Sequence, residues 1–267
     1  MTGGTSLIER AGQRVAYVES PGDGATVVLA HNLMSHAGTF AAVAARLAPR
    51  FRVLAVDLRG HGRSGGAPRP FTTIDLAEDL AAVMDAAGVT AAFVVGTSLG
   101  AAAAAELALR SPERVRGLAL MAATPYAAAP ADLAKFAALR GVLRALGPRP
   151  VMFPMLHQLL GASYRTTNRS GTADAAARIR ATNRRDLAWS VQSWAHRPRL
   201  AGRLAAISVP TVVVVGDEDN ACPRPFSAAI AAEIRGARLE VIRGAGHSLQ
   251  LERPAEVAAI VEALLAG

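Results

Sequence analysis

The sequence predicts an α/β protein built on a largely parallel sheet. Three observations carry that expectation. Short apolar runs recur along the chain; amphipathic stretches such as Ile74 to Ala87 and Pro254 to Leu265 alternate with them; and chemistry-bearing residues fall at or just after the C-terminal ends of the runs. Such alternation is the pattern of parallel βαβ units, and open α/β sheets gather their sites along that edge.

The most informative element starts at Ala91. Ala91-Ala92-Phe93-Val94-Val95 reads as a strand, Gly96-Thr97-Ser98-Leu99-Gly100 as an abrupt turn, and Ala101 to Arg110 as a helix. G-x-S-x-G in that setting is a nucleophile elbow. The flanking glycines lack a Cβ, so the chain can bend sharply and the helix can pack closely. Ser98 is thereby held clear of the backbone, near the positive end of the following helix.

An elbow requires an acid and then a base further along the chain. Pro210 to Val215 reads as a buried parallel strand and ends in Gly216-Asp217-Glu218-Asp219-Asn220, with Pro223 just beyond. Leu239-Glu240-Val241-Ile242 ends in Gly244-Ala245-Gly246-His247-Ser248. Ser98, Asp219 and His247 therefore follow in the required order, although Asp217 and Glu218 stand beside Asp219 as competing acids.

On these residues the chain resembles the α/β-hydrolase superfamily, over nearly its whole length. Thr26 to Met34 is similar to the family's third strand and oxyanion loop. Asp57-Leu58-Arg59-Gly60-His61-Gly62-Arg63-Ser64 resembles its D-x-R-G-x-G-x-S loop, and Ser111-Pro112-Glu113-Arg114-Val115 the link to its sixth strand. The resemblance implies an eight-stranded, mostly parallel sheet flanked by helices, with a helical lid inserted after strand 6. It places a core at residues 1–125 and 205–267 and the lid at 126–204, where no strand is apparent and Gly147-Pro148, Arg149-Pro150 and Phe153-Pro154 interrupt the helical stretches. The family spacing from Gly216 and to Pro223 favours Asp219 as the acid.

The resemblance further implies roles within the site. Ser98 is the nucleophile, His247 the base and Asp219 the residue that orients it. The backbone N–H of Leu99 is the first oxyanion donor, and that of Leu33 maps onto the second. Two departures stand out. His31-Asn32 replaces the family's usual His-Gly; because Asn adopts left-handed conformations readily, the loop is expected to survive with the Asn32 amide entering the pocket. Thr97 stands where many relatives carry His. Asp57 is expected to pair with Arg59, and His31, His36, His61, His157 and His196 to be structural or solvent-exposed.

Candidate pocket residues are Asn32, Met34, Tyr126, Met152, Phe153, Met155, Trp189 and Trp194, each of which could instead pack the lid on the core. A serine at the elbow argues against haloalkane dehalogenase and epoxide hydrolase chemistry, which use an aspartate there. The compact scaffold is most similar to small carboxylesterases and enol-lactone hydrolases, which implies cleavage of a small or medium carboxylic ester or lactone. Thioesterase, perhydrolase and C–C bond hydrolase chemistry, or a slow-turnover ligand receptor, are the alternatives.

Composition bounds the remaining classes. The chain of 267 residues is long enough for one domain with a large core. Its net charge of +8 comes almost entirely from arginines spread along the sequence, with no basic run or interleaved aromatics, so no nucleic-acid partner is expected. The densest set includes Arg178, Arg180, Arg184 and Arg185, read as a solvated helical surface, with a preference for anionic substrates as the alternative. No apolar run approaches the roughly 18 residues of a membrane span, so no membrane partner is expected. Met1-Thr2-Gly3-Gly4 lacks the pattern of a signal peptide, which makes a cytoplasmic location the default. The lone Cys222 excludes an internal disulfide and a cysteine-rich metal site. No metal or organic cofactor is expected, and a homodimer is an allowed assembly.

Overall fold

The computed structural model describes residues 4–266; Met1-Thr2-Gly3, read above for a targeting segment, lies outside the described residues. Eight strands form one sheet: β1 (Thr5–Arg10), β2 (Gln13–Ser20), β3 (Thr26–Ala30), β4 (Arg52–Asp57), β5 (Ala92–Thr97), β6 (Val115–Met121), β7 (Thr211–Gly216) and β8 (Arg238–Ile242). Their order is β1-β2-β4-β3-β5-β6-β7-β8. β2 runs antiparallel to both of its neighbours, and every pairing from β4 to β8 is parallel. This is the α/β-hydrolase fold.

Helices cover both faces, as the apolar composition of the central strands requires. On one face lie α2 (Thr73–Ala86) and α3 (Leu99–Arg110), whose Leu76, Leu80, Ala101 and Ala104 join Val28, Val94 and Leu118 in a buried cluster. On the other, α1 (Ala41–Leu47) and the C-terminal helix Pro254–Ala266 bring Val43, Leu47, Val257 and Val261 onto Val27, Val53 and Val212. The alanines of α3 have a direct consequence: without long side chains, the helix lies close to the sheet and its first turn sits directly behind Ser98. α2 begins at a capping box, in which the Thr72 hydroxyl accepts from the Asp75 N–H at 3.2 Å and the Asp75 carboxylate accepts from the Thr72 N–H at 2.8 Å.

Between β6 and β7 the chain forms α4 (Pro130–Leu146), α5 (Met152–Leu159), α6 (Ala162–Thr167), α7 (Arg169–Ala181) and α8 (Arg184–Ala195). Gly147 ends α4 at φ 74°. Phe153-Pro154 does not interrupt a helix, contrary to expectation: Pro154 falls in the first turn of α5, where its missing N–H has no intrahelical partner to lose. This insertion packs Leu143, Met155, Ile179, Leu187 and Val191 against Met34, in the loop after β3. After β7 come α9 (Arg224–Glu233) and, beyond β8, α10 (Leu249–Glu252) and α11, the C-terminal helix.

Candidate active site

Ser98 sits between β5 and α3 at φ 52°, ψ −107°, a conformation that costs an L-residue about 1–3 kcal/mol. The surrounding fold imposes it. The Ser98 N–H donates to the Met121 carbonyl at 2.8 Å, and the glycines on either side admit neighbours that no side chain would. A Cβ on Gly100 would stand 2.2 Å from the Ala30 carbonyl oxygen, and one on Gly96 2.3 Å from that of Gly100. Leu99 is the first residue of α3, so its N–H has no intrahelical acceptor and lies where the helix dipole favours negative charge.

His247 and Asp219 meet at the same sheet edge. Nδ1 of His247 lies 3.0 and 3.1 Å from the two carboxylate oxygens of Asp219, and both side chains are buried. Asp219 is itself fixed by a local turn, accepting the N–H groups of Ala221 at 2.9 Å and Cys222 at 2.8 Å. The competing acids are committed elsewhere. Asp217 accepts from the Gly244 N–H at 2.7 Å. Glu218 accepts from both the hydroxyl and the N–H of Ser163, fastening α6 to the core, and these bonds hold its carboxyl below the usual range. Cys222 is buried, and desolvation, with the nearby Asp219, pushes its thiol far up; it is an inert neighbour.

The loop preceding His247 is shaped by a residue the sequence did not single out. The Glu252 carboxylate accepts from the N–H groups of Gly161, Gly246 and Ser248 at 2.8–3.1 Å. Burial raises this carboxyl while those three donors oppose the rise.

Two buried histidines hold the loop after β3. His31 Nε2 accepts from the Leu58 N–H at 3.0 Å, and its Nδ1 contacts the Asn32 carbonyl at 2.8 Å. His61 Nε2 accepts from the Met34 N–H at 3.2 Å, with Nδ1 at 3.1 Å from the Arg59 carbonyl. Each ring is therefore a neutral Nδ1–H tautomer, assigned from its partners. Burial lowers both pKa values, and for His31 the neighbouring His61 lowers it further. The rings stand edge to face with centroids 5.0 Å apart. Leu33, between Asn32 and Met34, makes no backbone hydrogen bond among the described residues.

The left-handed residue of this loop is Met34, at φ 61°, and not Asn32. Asn32 borders a small cavity, but its amide is not free there. Its Nδ2 donates to the Ser248 hydroxyl at 3.2 Å and its Oδ1 accepts from Gln250 at 2.8 Å. Gln250 Oε1 in turn accepts from the Thr97 hydroxyl at 3.1 Å. One buried chain of hydrogen bonds thus joins the residue before Ser98, the residue before Leu33 and the residue after His247. The three loops are positioned against one another by Gln250, which sequence reasoning missed because nothing local marks it.

The expected Asp57–Arg59 pair does not form. Asp57 accepts from the N–H groups of Ala37 at 2.6 Å and Arg63 at 3.0 Å, while Arg59 makes a buried two-point pair with Asp79 of α2 at 2.6 and 2.8 Å. Its partner lies twenty residues away on another element, beyond the reach of local pattern.

The remaining pocket candidates divide. Met34 is buried, Met155 lies in the insertion's apolar cluster and Met152 packs against it. Trp189 and Trp194 pack on the main core, the latter under Arg197 at 4.0 Å. Tyr126 is 38% exposed, edge-on to Phe226. Phe153 is 73% exposed, its ring centroid 4.1 Å from that of His157. No group of three or more His, Cys, Asp or Glu among the described residues could hold a metal ion, and no helix among them is long and apolar enough to cross a membrane.

Known proteins resemble this chain throughout. A family model described as alpha/beta hydrolase fold matches residues 25–254. The pimeloyl-[acyl-carrier protein] methyl ester esterase of Xanthomonas campestris pv. campestris is 31% identical over 258 residues, 91% of this chain and 95% of that one. Its namesake from Chromobacterium violaceum is 45% identical over 109 residues, which span 41% of each protein. Among solved structures, a thermophilic esterase from Thermogutta terrifontis with malate bound superposes with a TM-score of 0.93 at 26% identity, covering 98% of both chains.

Proposed function

The chain belongs to the α/β-hydrolase family, and from that premise we propose that it hydrolyses a small or medium carboxylic ester or lactone through an acyl-enzyme on Ser98. The observation that carries this reading is the 3.0 Å approach of His247 Nδ1 to Asp219 at the edge where Ser98 is held in its strained elbow.

The chemistry follows from the residues. A neutral serine hydroxyl is a weak nucleophile and needs a base. As the Ser98 oxygen attacks the ester carbonyl carbon, its proton passes to Nε2 of His247. Asp219 keeps Nδ1 protonated, fixes the tautomer and stabilises the imidazolium. The carbonyl electron pair moves onto oxygen, which the N–H groups of Leu99 and Leu33 receive; such donors are worth roughly 3–4 kcal/mol each. Collapse expels the alcohol with the proton from His247, and a water activated by the same base releases the acid.

The insertion of five helices acts as the lid, because its apolar cluster reaches Met34 and partly buried Leu33 and so excludes water from the developing charge. The esterase names of the relatives support the same reaction class. Covalent capture tests the assignment: a fluorophosphonate should add one adduct, on the tryptic peptide containing Ser98. An unlabelled Ser98 in folded protein overturns it.

A further inference from the structure

A cleft of about 670 Å³ opens between the insertion and the core, walled by the loop 34–38, the turn 57–66 and the end of α7 with the start of α8. Its carboxylates are already engaged. Both oxygens of Asp57 accept backbone N–H groups, and Asp186 accepts those of Gly66 at 2.8 Å and Ala67 at 3.1 Å. Its donors are not. The Arg178 side chain makes no hydrogen bond or ion pair among the described residues, and its Nε is buried with no acceptor. His36 uses Nδ1 to accept from the Gly38 N–H at 3.0 Å, which leaves Nε2–H as a donor. Arg63 spends one nitrogen on Thr5.

These donors belong together. Arg178, His36 and Arg63 all line this one cleft, and burial together with the two guanidinium charges holds His36 below its usual pKa against the pull of Asp57. Their neighbours on the insertion differ: Arg184 and Arg185 bond to the carbonyls of Ala145 and Pro68, and Arg180 is exposed. The cleft also borders Met34 and Ser35 of the loop that carries Leu33. A smaller cavity shares Met34, Ser35 and Arg178 with it and reaches Asn32 and Ser248, the chain neighbours of Leu33 and His247.

A buried guanidinium nitrogen without an acceptor is costly, and a guanidinium matches the two oxygens of a carboxylate. We propose that Arg178, assisted by His36 and Arg63, binds a carboxylate carried by the substrate at the end remote from the scissile bond. The preferred substrate is then a half-ester of a dicarboxylic acid. A monoanion fits better than a phosphate dianion because Asp57 and Asp186 flank the cleft and repel added charge. This inference rests on the acyl-transfer reading of Ser98.

The test compares mono-p-nitrophenyl esters of glutarate, adipate and suberate with uncharged p-nitrophenyl esters of matched length. Wild type should favour the charged series in kcat/KM, through KM. Arg178→Gln should cut that charged-over-neutral ratio by about tenfold or more, Arg178→Lys should restore part of it, and Arg180→Gln should leave it intact. An equal response of both series to Arg178→Gln overturns the proposal while leaving acyl transfer standing. Calorimetric titration with adipate separates the two ideas if neither series turns over: binding that weakens at least about tenfold in Arg178→Gln upholds the carboxylate site, and no binding to wild type refutes it.

Discussion

The backbone N–H of Met34 donates to Nε2 of the buried His61 at 3.2 Å, and Met34 is the residue held at φ 61°. The histidine of the turn after β4 therefore secures the left-handed bend of the loop after β3. Leu33, the candidate oxyanion donor, immediately precedes that bend. His61 is a positioning residue, and its influence on the reaction runs through the backbone.

Replacing His61 with Leu should leave a buried Met34 N–H unpaired, at a cost of about 1–3 kcal/mol. Once the loop shifts, kcat for a p-nitrophenyl ester should fall about tenfold with KM little changed, a part of the roughly 10²–10³ that loss of a whole oxyanion donor costs. His61→Gln can still present an acceptor oxygen and should recover part of the rate. A change confined to KM in His61→Leu contradicts this role.

The depressed histidines also set a pH dependence of stability. His31, His36 and His61 all titrate below 6.5 in the fold. Between those native values and the unfolded value the unfolded chain binds more protons, so stability rises with pH. The contribution is complete above about pH 6.5 and drains away on acidification. Glu252, raised in the fold, works in the opposite sense above its ordinary value of 4.5, but it is one group against three. The urea midpoint should therefore be higher at pH 7.5 than at pH 5.5, and His61→Gln should flatten the difference. A midpoint that climbs on acidification over that range sinks the account.

Asn32 and Gln250 share a hydrogen bond at 2.8 Å in the chain from Thr97 to Ser248. Their effects on catalysis should be coupled. Asn32→Ala and Gln250→Ala should each lower kcat, and the double variant should lose less than the sum, with a coupling energy of about 0.5–3 kcal/mol. Strict additivity would mean that the two side chains support the site independently.

Legibility in the sequence follows the range of the forces involved. The elbow could be read from five consecutive residues because its requirements are local: Gly96 and Gly100 sit where a Cβ would strike backbone, and no distant residue can relieve that. Strand runs such as Thr211–Gly216 are likewise written locally, as continuous burial. Partner choice is not. Arg59 finds Asp79 on α2 in place of the nearby Asp57, Glu218 turns to Ser163 on α6, and Gln250 bridges Asn32 and Thr97 across 218 and 153 residues of sequence. The left-handed residue of the oxyanion loop is Met34 and not Asn32, and the bond to His61 with the burial of the Met34 side chain against the insertion offsets a strain of about 1–2 kcal/mol. The insertion was the least legible region: in sequence, large apolar residues that pack a helix on a core look the same as residues that line a pocket, and only the fold separates exposed Phe153 from buried Met155.

Steady-state hydrolysis of p-nitrophenyl butyrate by wild type, Ser98→Ala and Asp219→Asn tests the central claim most directly. The arrangement of Ser98, His247 and Asp219 predicts multiple turnovers by wild type, with kcat at least about 10³-fold lower in Ser98→Ala and about 10⁴-fold lower in Asp219→Asn, where His247 is held in the wrong tautomer. A Ser98→Ala protein that matches wild type would contradict acyl transfer through this serine.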